Sequence, residues 1–136
     1  MGKKCDRILV IGESNSLHND LVQGLSHSGF SVALVPGLAR ALLSLQIFNP
    51  DMIILSHVSD ESLETCHQLH NTFSIPVILL GDDYSQDIWR RALIVAEADF
   101  YLRKPFDMEE LVARMKAILR RYRLGSSETQ IAGSRN

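Results

Sequence analysis

The sequence predicts a doubly wound α/β fold, in which helices cover both faces of one parallel five-stranded sheet. Five short apolar runs recur at fairly even intervals, and none of them alternates with polar residues. Continuous apolar runs are typical of strands that are covered on both faces. Strands that alternate strictly with helices favour a parallel sheet with right-handed crossovers. The predicted strands, β1 to β5, are Ile8–Ile11, Val32–Val35, Met52–Leu55, Val77–Leu80 and Phe100–Leu102.

Apolar residues three or four positions apart mark a helix after each strand. The last helix, α5, has the clearest start, because Asp107 and Glu110 form a capping-box pattern. It is expected to end at Leu124–Gly125, where glycine can adopt the left-handed closing conformation. The residues that mark helices α1 to α5 in turn are Leu17, Leu21, Val22 and Leu25; Leu38, Ala41, Leu42 and Leu45; Leu63, Cys66, Leu69 and Phe73; Ile88, Ala92 and Val95; and Leu111, Val112, Met115, Ile118, Leu119 and Tyr122.

The composition indicates one ordinary globular domain. The chain has 136 residues, of which 46% are hydrophobic and 22% charged, and this length suits a single core. Residues 1–124 are expected to form the domain, and residues 125–136 a flexible tail or truncated linker with too few apolar residues to bury. No apolar run is long enough to span a membrane and no signal peptide is visible, so we expect a cytoplasmic protein without membrane contact.

Neither the cysteines nor the net charge indicates a special chemistry. Cys5 and Cys66 lack the spacing of metal ligands and any secretory context, so both are expected to be free thiols. The net charge of −2 creates no overall field toward nucleic acid. The G-x-G-x-x-G fingerprint is absent, which argues against a dinucleotide-binding protein.

In a doubly wound sheet, the site lies beyond the carboxyl ends of the strands. The residues delivered there are Gly12–Glu13, Ser56–His57, Gly81–Asp82 and Arg103–Lys104. Ser56 and His57 could be a nucleophile and its base, but neighbours on a strand point to opposite faces, and no nucleophile elbow accompanies them. The favoured interpretation of Ser56 is a polar cap that bonds to the backbone or to Lys104, and no catalytic residue is predicted.

Four stretches of the sequence resemble receiver domains of two-component response regulators. They are RILVIGES, NPDMIIL, IPVILL and ADFYLRKPFDMEELVARMKAILRR, within a match from about Arg7 to Tyr122. The last stretch is similar to OmpR/PhoB-type regulators, whose receivers precede a winged-helix DNA-binding domain. The resemblance implies the flavodoxin-like (βα)5 fold of the chemotaxis regulator, with strand order 2-1-3-4-5.

The resemblance also implies a degenerate phosphorylation pocket. In the family, an acidic pair after β1 and an aspartate ending β3 hold Mg²⁺, that aspartate accepts the phosphoryl group, and a Ser/Thr and a lysine bind its oxygens. The matching residues here are Gly12 with Glu13, Ser56, Gly81 and Lys104. A pocket charge of about −2 calls for a divalent ion, whereas Glu13 and Lys104 sum to zero, so neither metal nor other cofactor is expected. A serine hydroxyl also needs a general base to act as nucleophile.

Several alternatives stay open around this pocket. Asp60, Glu61, Asp82 and Asp83 could bring carboxylates near it and allow weak metal binding. Lys104 either pairs with Glu13 or extends into solvent. The family pattern implies a cis Lys104–Pro105 peptide bond. Tyr101 matches the switch aromatic, which rotates inward when the Ser/Thr moves toward the phosphoryl group; the alternative is a half-buried aromatic on β5.

OmpR/PhoB-type receivers dimerise through a face formed by α4, β5 and α5, with cross-subunit ion pairs. Arg90 or Arg91 with Glu110 matches one such pair. Asp99 with Arg121 matches another. These charges could instead be ordinary surface charge, since exposed pairs contribute only about 0 to 1 kcal/mol each.

Phe100 replaces an acid on that face, which leaves Arg114 without its usual partner and makes the face more apolar. The sequence therefore predicts a non-enzymatic receiver-like domain that signals without phosphorylation, through a homodimer or another signalling protein. DNA contact is expected only through an effector domain absent from this chain. The alternatives are sensing of a small ligand or anion at Lys104, and residual regulation by metal and phosphoryl group.

Overall fold

Five parallel strands form one sheet in the order β2-β1-β3-β4-β5 in the computed structural model, which describes residues 5–12, 16–56, 60–81, 90–95 and 97–127. Every strand pairing is parallel, so the predicted fold class and strand order are confirmed. The strands are β1 Arg7–Ile11, β2 Ser31–Val35, β3 Met52–Leu55, β4 Val77–Gly81 and β5 Phe100–Arg103.

Helical segments connect the strands. They are α1 Ser16–His27, α2 Leu38–Phe48, α3 Asp60–Phe73, α4 with its described part Arg91–Val95, and α5 Met108–Ser127. The described part of α4 is π-helical rather than α-helical, and no residue in the sequence marks this wider turn. Glu97 closes the segment in the left-handed conformation, with φ of 59°, and the Ala98 N–H donates to the Ala92 carbonyl oxygen at 2.9 Å.

The sheet separates two apolar cores, which explains why the strand sequences do not alternate with polar residues. Successive strand residues enter opposite cores, because their side chains point to opposite faces. One core contains Ile8, Val10, Ile54, Ile78, Leu80 and Leu102 with residues of α1 and α5. The other contains Leu9, Ile11, Ile53, Leu55, Leu79 and Tyr101 with residues of α2, α3 and α4.

Three details of the predicted helices are wrong. Phe73 was expected on the core face of α3, but 38% of it is exposed. Leu42 was expected on the core face of α2, but 44% of it is exposed, while Ala41 and Leu45 are buried. The buried stripe is narrower than the sequence suggested, and Leu42 lies at its margin. Helix α5 passes through Gly125 and ends at Ser127. Glycine permits a left-handed ending without imposing it, and costs about 1 kcal/mol relative to alanine within a helix.

Both cysteines are free thiols, as predicted, with Cys5 exposed and Cys66 buried against the sheet. Burial, with smaller contributions from Asp99 and Glu97, raises the pKa of Cys66 to about 12. Within the described ranges, no helix has the length and apolar content needed to cross a bilayer.

Gly24 lets α1 lie directly against the first residue of α5. A Cβ at this position would come within 2.6 Å of Met108 Cε and 2.9 Å of Met108 Sδ. Such distances are shorter than van der Waals contact, so the flexible end of the Met108 side chain would have to shift. The absence of a side chain at Gly24 therefore sets the close approach of these two helices.

Replacing Gly24 with alanine is expected to raise the free energy of unfolding by less than the roughly 1 kcal/mol of helix propensity, because the flexible Met108 side chain has to shift to make room. In a Met108→Ala background, the same substitution should raise it by about 1 kcal/mol, since only the propensity gain remains. Urea unfolding of the four proteins measures both effects. Equal effects of Gly24→Ala in the two backgrounds would show that Met108 does not restrict the side chain at position 24.

Candidate functional site

Backbone hydrogen bonds join the carboxyl ends of the strands and form the floor of the candidate site. The Gly12 N–H donates to the Val35 carbonyl oxygen at 2.9 Å, and the Ser56 N–H donates to that of Ile11 at 3.1 Å. The Lys104 N–H donates to the Gly81 carbonyl oxygen at 2.7 Å. Each bond continues a parallel ladder beyond the last paired residues, so the ends of β2, β1 and β3 are held together and the end of β5 is held to that of β4.

Ser56 is buried at the end of β3, with 2% of its surface exposed. Its Oγ donates to the Ile11 carbonyl oxygen at 3.3 Å, the same oxygen that accepts the Ser56 N–H. The hydroxyl therefore faces the backbone of β1, and a buried polar group of this kind needs such a partner.

The Lys104 ammonium reaches the backbone of β3. Its Nζ donates to the Ser56 carbonyl oxygen at 2.9 Å. Because β4 lies between β3 and β5 in the sheet, the side chain passes the carboxyl end of β4, where Gly81 carries no side chain. Lys104 thus does not simply extend into solvent, and its peptide bond to Pro105 is cis, as predicted.

Some of the predicted pocket lies outside the described residues. This holds for Glu13, His57, Asp82 and Asp83. The ion pair between Glu13 and Lys104 therefore stays a prediction, as does a metal site built from these carboxylates.

The described residues do not fit the Mg²⁺ that the family resemblance implies. Mg²⁺ prefers carboxylate and other oxygen ligands in octahedral geometry. Gly12 and Gly81 supply no side chain, and the Ser56 carbonyl oxygen accepts a hydrogen bond from a cation. No group of three histidine, cysteine or acidic side chains suited to a metal occurs in the part of the chain that the structure describes.

Tyr101 is more buried than a half-buried strand aromatic, with 5% of its surface exposed. It lies in the core on the α3 and α4 side, together with Leu79, Ala92 and Ala98. Its ring is therefore directed inward in a structure that contains no hydroxyl at position 81.

The surface formed by α4, β5 and α5 contains a contact that the sequence did not predict. The Arg114 guanidinium carbon lies 4.9 Å from the centroid of the Phe100 ring. This distance is within the range of cation–π attraction. The aromatic that replaces an acid thus gives Arg114 a different partner within the same chain.

Asp99 forms hydrogen bonds within the chain at the amino-terminal end of β5. One carboxylate oxygen accepts the Val77 N–H at 2.8 Å, and the other accepts the Tyr122 hydroxyl at 2.8 Å. Burial, followed by the hydrogen bond to Asp99, raises the pKa of Tyr122 above its ordinary value. The predicted cross-subunit pair of Asp99 with Arg121 stays a prediction and would compete with these donors.

The remaining predicted interface residues lie near the surface. Arg90, Glu110 and Arg121 are exposed, and Arg91 is partly buried. Sequence reasoning missed Tyr122 as the partner of Asp99, although its helical spacing placed it correctly toward the core. A buried tyrosine requires a partner for its hydroxyl, and this requirement is the signal that could have prompted the search.

The parallel sheet has the strand order of receiver-like α/β domains. A lysine at the end of β5 also reaches the end of β3, which fits the same class. A family model described as "Response regulator receiver domain" matches residues 8–116. The chain is 37% identical over 127 residues to the response regulator MprA of Mycobacterium ulcerans, a match that covers 90% of this chain and 53% of that protein.

Solved structures share the fold. An orphan response regulator from H. pylori has a TM-score of 0.72 and 25% identity, over 84% of this chain and 96% of that one. A CheY-like receiver domain protein from Methanospirillum hungatei has a TM-score of 0.77 and 19% identity, over 88% of this chain and 98% of that one.

The chain belongs to the response regulator receiver domain family. It is a signalling domain of two-component systems and not an enzyme, as the sequence predicted. It spans about half the length of the curated MprA relatives that it matches.

Tyr122→Phe is expected to lower the free energy of unfolding at pH 7 by about 1 to 2 kcal/mol, because Asp99 loses a donor in a partly buried setting. The raised pKa of Tyr122 in the folded protein means that its stabilising effect is complete below the unfolded pKa of about 10 and declines as pH rises above it. Denaturant unfolding from pH 7 to 11 should therefore show the two proteins converging. A constant difference across this range would contradict the Tyr122–Asp99 bond.

Proposed function

We propose that this chain is a receiver domain that signals through protein contacts without accepting a phosphoryl group. In this proposal, Ser56 occupies the place of the family's acceptor aspartate. The proposal rests mainly on one observation, the 2.9 Å hydrogen bond from Lys104 Nζ to the Ser56 carbonyl oxygen. A group that would otherwise bind phosphoryl oxygens already has a backbone acceptor.

The chemistry of Ser56 supports the same conclusion. A carboxylate attacks phosphorus directly, whereas a hydroxyl must lose its proton to a general base. The Ser56 Oγ donates to the Ile11 carbonyl oxygen, which is a hydrogen-bond acceptor and far too weak a base for this task. The hydroxyl is also buried, so a phosphoryl donor would have to displace neighbouring groups to reach it.

The switch elements support a single conformation. In the family, the switch aromatic turns inward when the Ser/Thr after β4 moves toward the phosphoryl group. Gly81 has no hydroxyl to make that movement, while Tyr101 is already buried. We infer that the domain remains in one state and regulates by binding, within the cytoplasm. Any DNA binding would belong to a further domain of a longer protein.

Sensing of an anion at Lys104 is the weaker alternative. Lys104 is partly buried, and its ammonium would have to leave the Ser56 carbonyl oxygen to bind an anion. A hydrogen bond to a charged group contributes about 1.5 to 3 kcal/mol, so the anion would need to exceed that contribution before any net affinity appeared.

Titration with Mg²⁺ and beryllofluoride, followed by backbone amide shifts, tests the proposal. We expect no saturable shifts at Gly12, Ser56, Gly81 or Lys104, because the described pocket supplies no acceptor carboxylate and its Lys104 ammonium is bonded to the Ser56 carbonyl oxygen. A receiver domain that has the acceptor aspartate is the positive control for the reagents.

The variant Gly12→Asp/Ser56→Asp/Gly81→Ser restores the family residues at three positions of the pocket. It tests whether the loss of these residues is what prevents binding. It should gain saturable shifts that the natural chain lacks. Saturable shifts in the natural chain would overturn the proposal. Shifts with phosphate alone, lost in Lys104→Met, would favour the anion-sensing alternative.

A further inference from the structure

Strand β2 forms an edge of the sheet, and its own residues carry none of the features that usually keep an edge from pairing. Within the described residues it pairs only with β1. Proteins commonly protect such edges with charged side chains, proline or a bulge. The strand sequence SVALV has no charge and no proline, and its register with β1 has no bulge. Residues 32–35 are only partly buried, so the edge is accessible.

The hydrogen bonds to β1 show which backbone groups of β2 point outward. The Ser31 N–H donates to the Asp6 carbonyl oxygen at 2.9 Å, so Ser31 faces β1. The N–H and C=O groups of one strand residue point to the same side, and successive residues alternate. The backbone groups of Val32 and Leu34 therefore point away from the sheet. Each of these two residues offers one donor and one acceptor to another strand.

A second copy of β2, running antiparallel, matches this pattern. With Ala33 opposite the Ala33 of the second copy, each Val32 would lie opposite a Leu34. Such residues exchange two hydrogen bonds per pair, so the two pairs would form four. The central alanines would be a non-hydrogen-bonded pair, in which side chains approach most closely, and alanine is small enough for this place. The arrangement is its own two-fold image, as a symmetric dimer requires.

Helix α1 lies beside β2 on one face of the sheet, and its flank toward the β2 edge is uncharged. Gly24 faces α5, where it lies against Met108. Asp20 is four residues earlier and lies on the same side of α1 as Gly24, away from the edge. Val22 and Ser26 lie on the opposite side. A second copy would therefore meet uncharged side chains of α1.

Helix α2 packs over β1 and β2 on the other face and exposes large apolar side chains. Leu43 is 64% exposed and Ile47 is 84% exposed, and the two are neighbours on the helix surface. Two-fold pairing of β2 places both α2 helices on the same face, each about one strand spacing of 4.8 Å from the line of contact. Their axes would be about 10 Å apart, which is a helix-packing distance. The only charge of α2, Arg40, would lie toward opposite ends of this antiparallel pair.

We propose that the β2 edge joins two copies of this chain into a dimer with one continuous ten-stranded sheet. An antiparallel pair at the edge of an otherwise parallel sheet is common in doubly wound folds. A second copy fits better than an extended segment of a different protein, because the copy also brings a second α2 to Leu43 and Ile47. The contact lies at the opposite edge from β5, and it does not depend on whether the pocket accepts a phosphoryl group.

Amide hydrogen exchange of the natural chain tests the proposed contact, measured by NMR with a reducing agent from about 50 μM to 1 mM. The amides of Val32 and Leu34 should exchange at least roughly tenfold more slowly at the highest concentration, because they gain acceptors in the dimer. The amides of Ser31, Ala33 and Val35 already face β1 and should change little. Sedimentation velocity over the same range should show the monomer converting to a dimer.

A pair of opposite charges at position 33 tests the register. Ala33→Glu and Ala33→Lys each place two like charges in the central pair, so each variant alone should be monomeric. An equimolar mixture places opposite charges there and should form a 1:1 heterodimer. Ala113→Glu and Ala113→Lys are the matched controls, because Ala113 is exposed on α5, away from β2. Both controls should dimerise like the natural chain, and circular dichroism verifies that every variant is folded.

Three results would overturn the inference. A natural chain that stays monomeric at the highest concentration would leave the β2 edge to a strand of a different protein. Protection of Val32 and Leu34 that does not change with concentration would show that one chain satisfies these groups by itself. A dimer that is unaffected by Ala33→Glu would place the contact elsewhere. If the Ala33 variants do not fold, the exchange pattern of the natural chain decides.

Discussion

The Lys104 ammonium, held on the backbone carbonyl oxygen of Ser56, links the ends of β3 and β5 across the intervening strand. The parallel sheet makes this link possible, because it brings every carboxyl strand end to the same edge. The glycine at position 81 leaves that path without a side chain at the end of β4. The Ser56 carbonyl oxygen holds the Lys104 ammonium in place. No phosphoryl group is needed for this. For this reason we propose a receiver that functions in one state.

If the domain signals in one state, its regulation has to act through the surfaces that bind its partners. A conventional switch changes affinity by moving between two conformations, and a ligand shifts that balance only through its different affinity for each. In the proposed one-state receiver, the Lys104 ammonium is bonded to the Ser56 carbonyl oxygen and Tyr101 is buried, so a ligand at this edge would have no second conformation to favour. In this proposal, the output depends on the concentration and chemistry of the partner.

The sequence predicted the fold well because burial on both faces leaves a direct mark, an apolar run without alternation. It predicted less at helix margins, where Leu42 proved exposed and α5 continued past Gly125, because a few degrees of helix rotation or one more turn change little in free energy. Contact between Ser56 and Lys104 was one of the expected alternatives, but the acceptor atom was missed for a different reason. The acceptor is a backbone carbonyl, which every residue possesses, so no residue type could indicate it. The Asp99–Tyr122 bond joins residues 23 positions apart and likewise depends on tertiary packing.

The Lys104–Ser56 hydrogen bond is most directly tested by a scalar coupling measured across it by NMR, between the side-chain Nζ of Lys104 and the carbonyl carbon of Ser56. We expect a resolved coupling, with slow exchange of the ammonium protons, in buffer without Mg²⁺ or any phosphoryl donor. Addition of both should leave it unchanged. An ammonium that rotates freely, exchanges rapidly with water and shows no coupling would contradict this hydrogen bond.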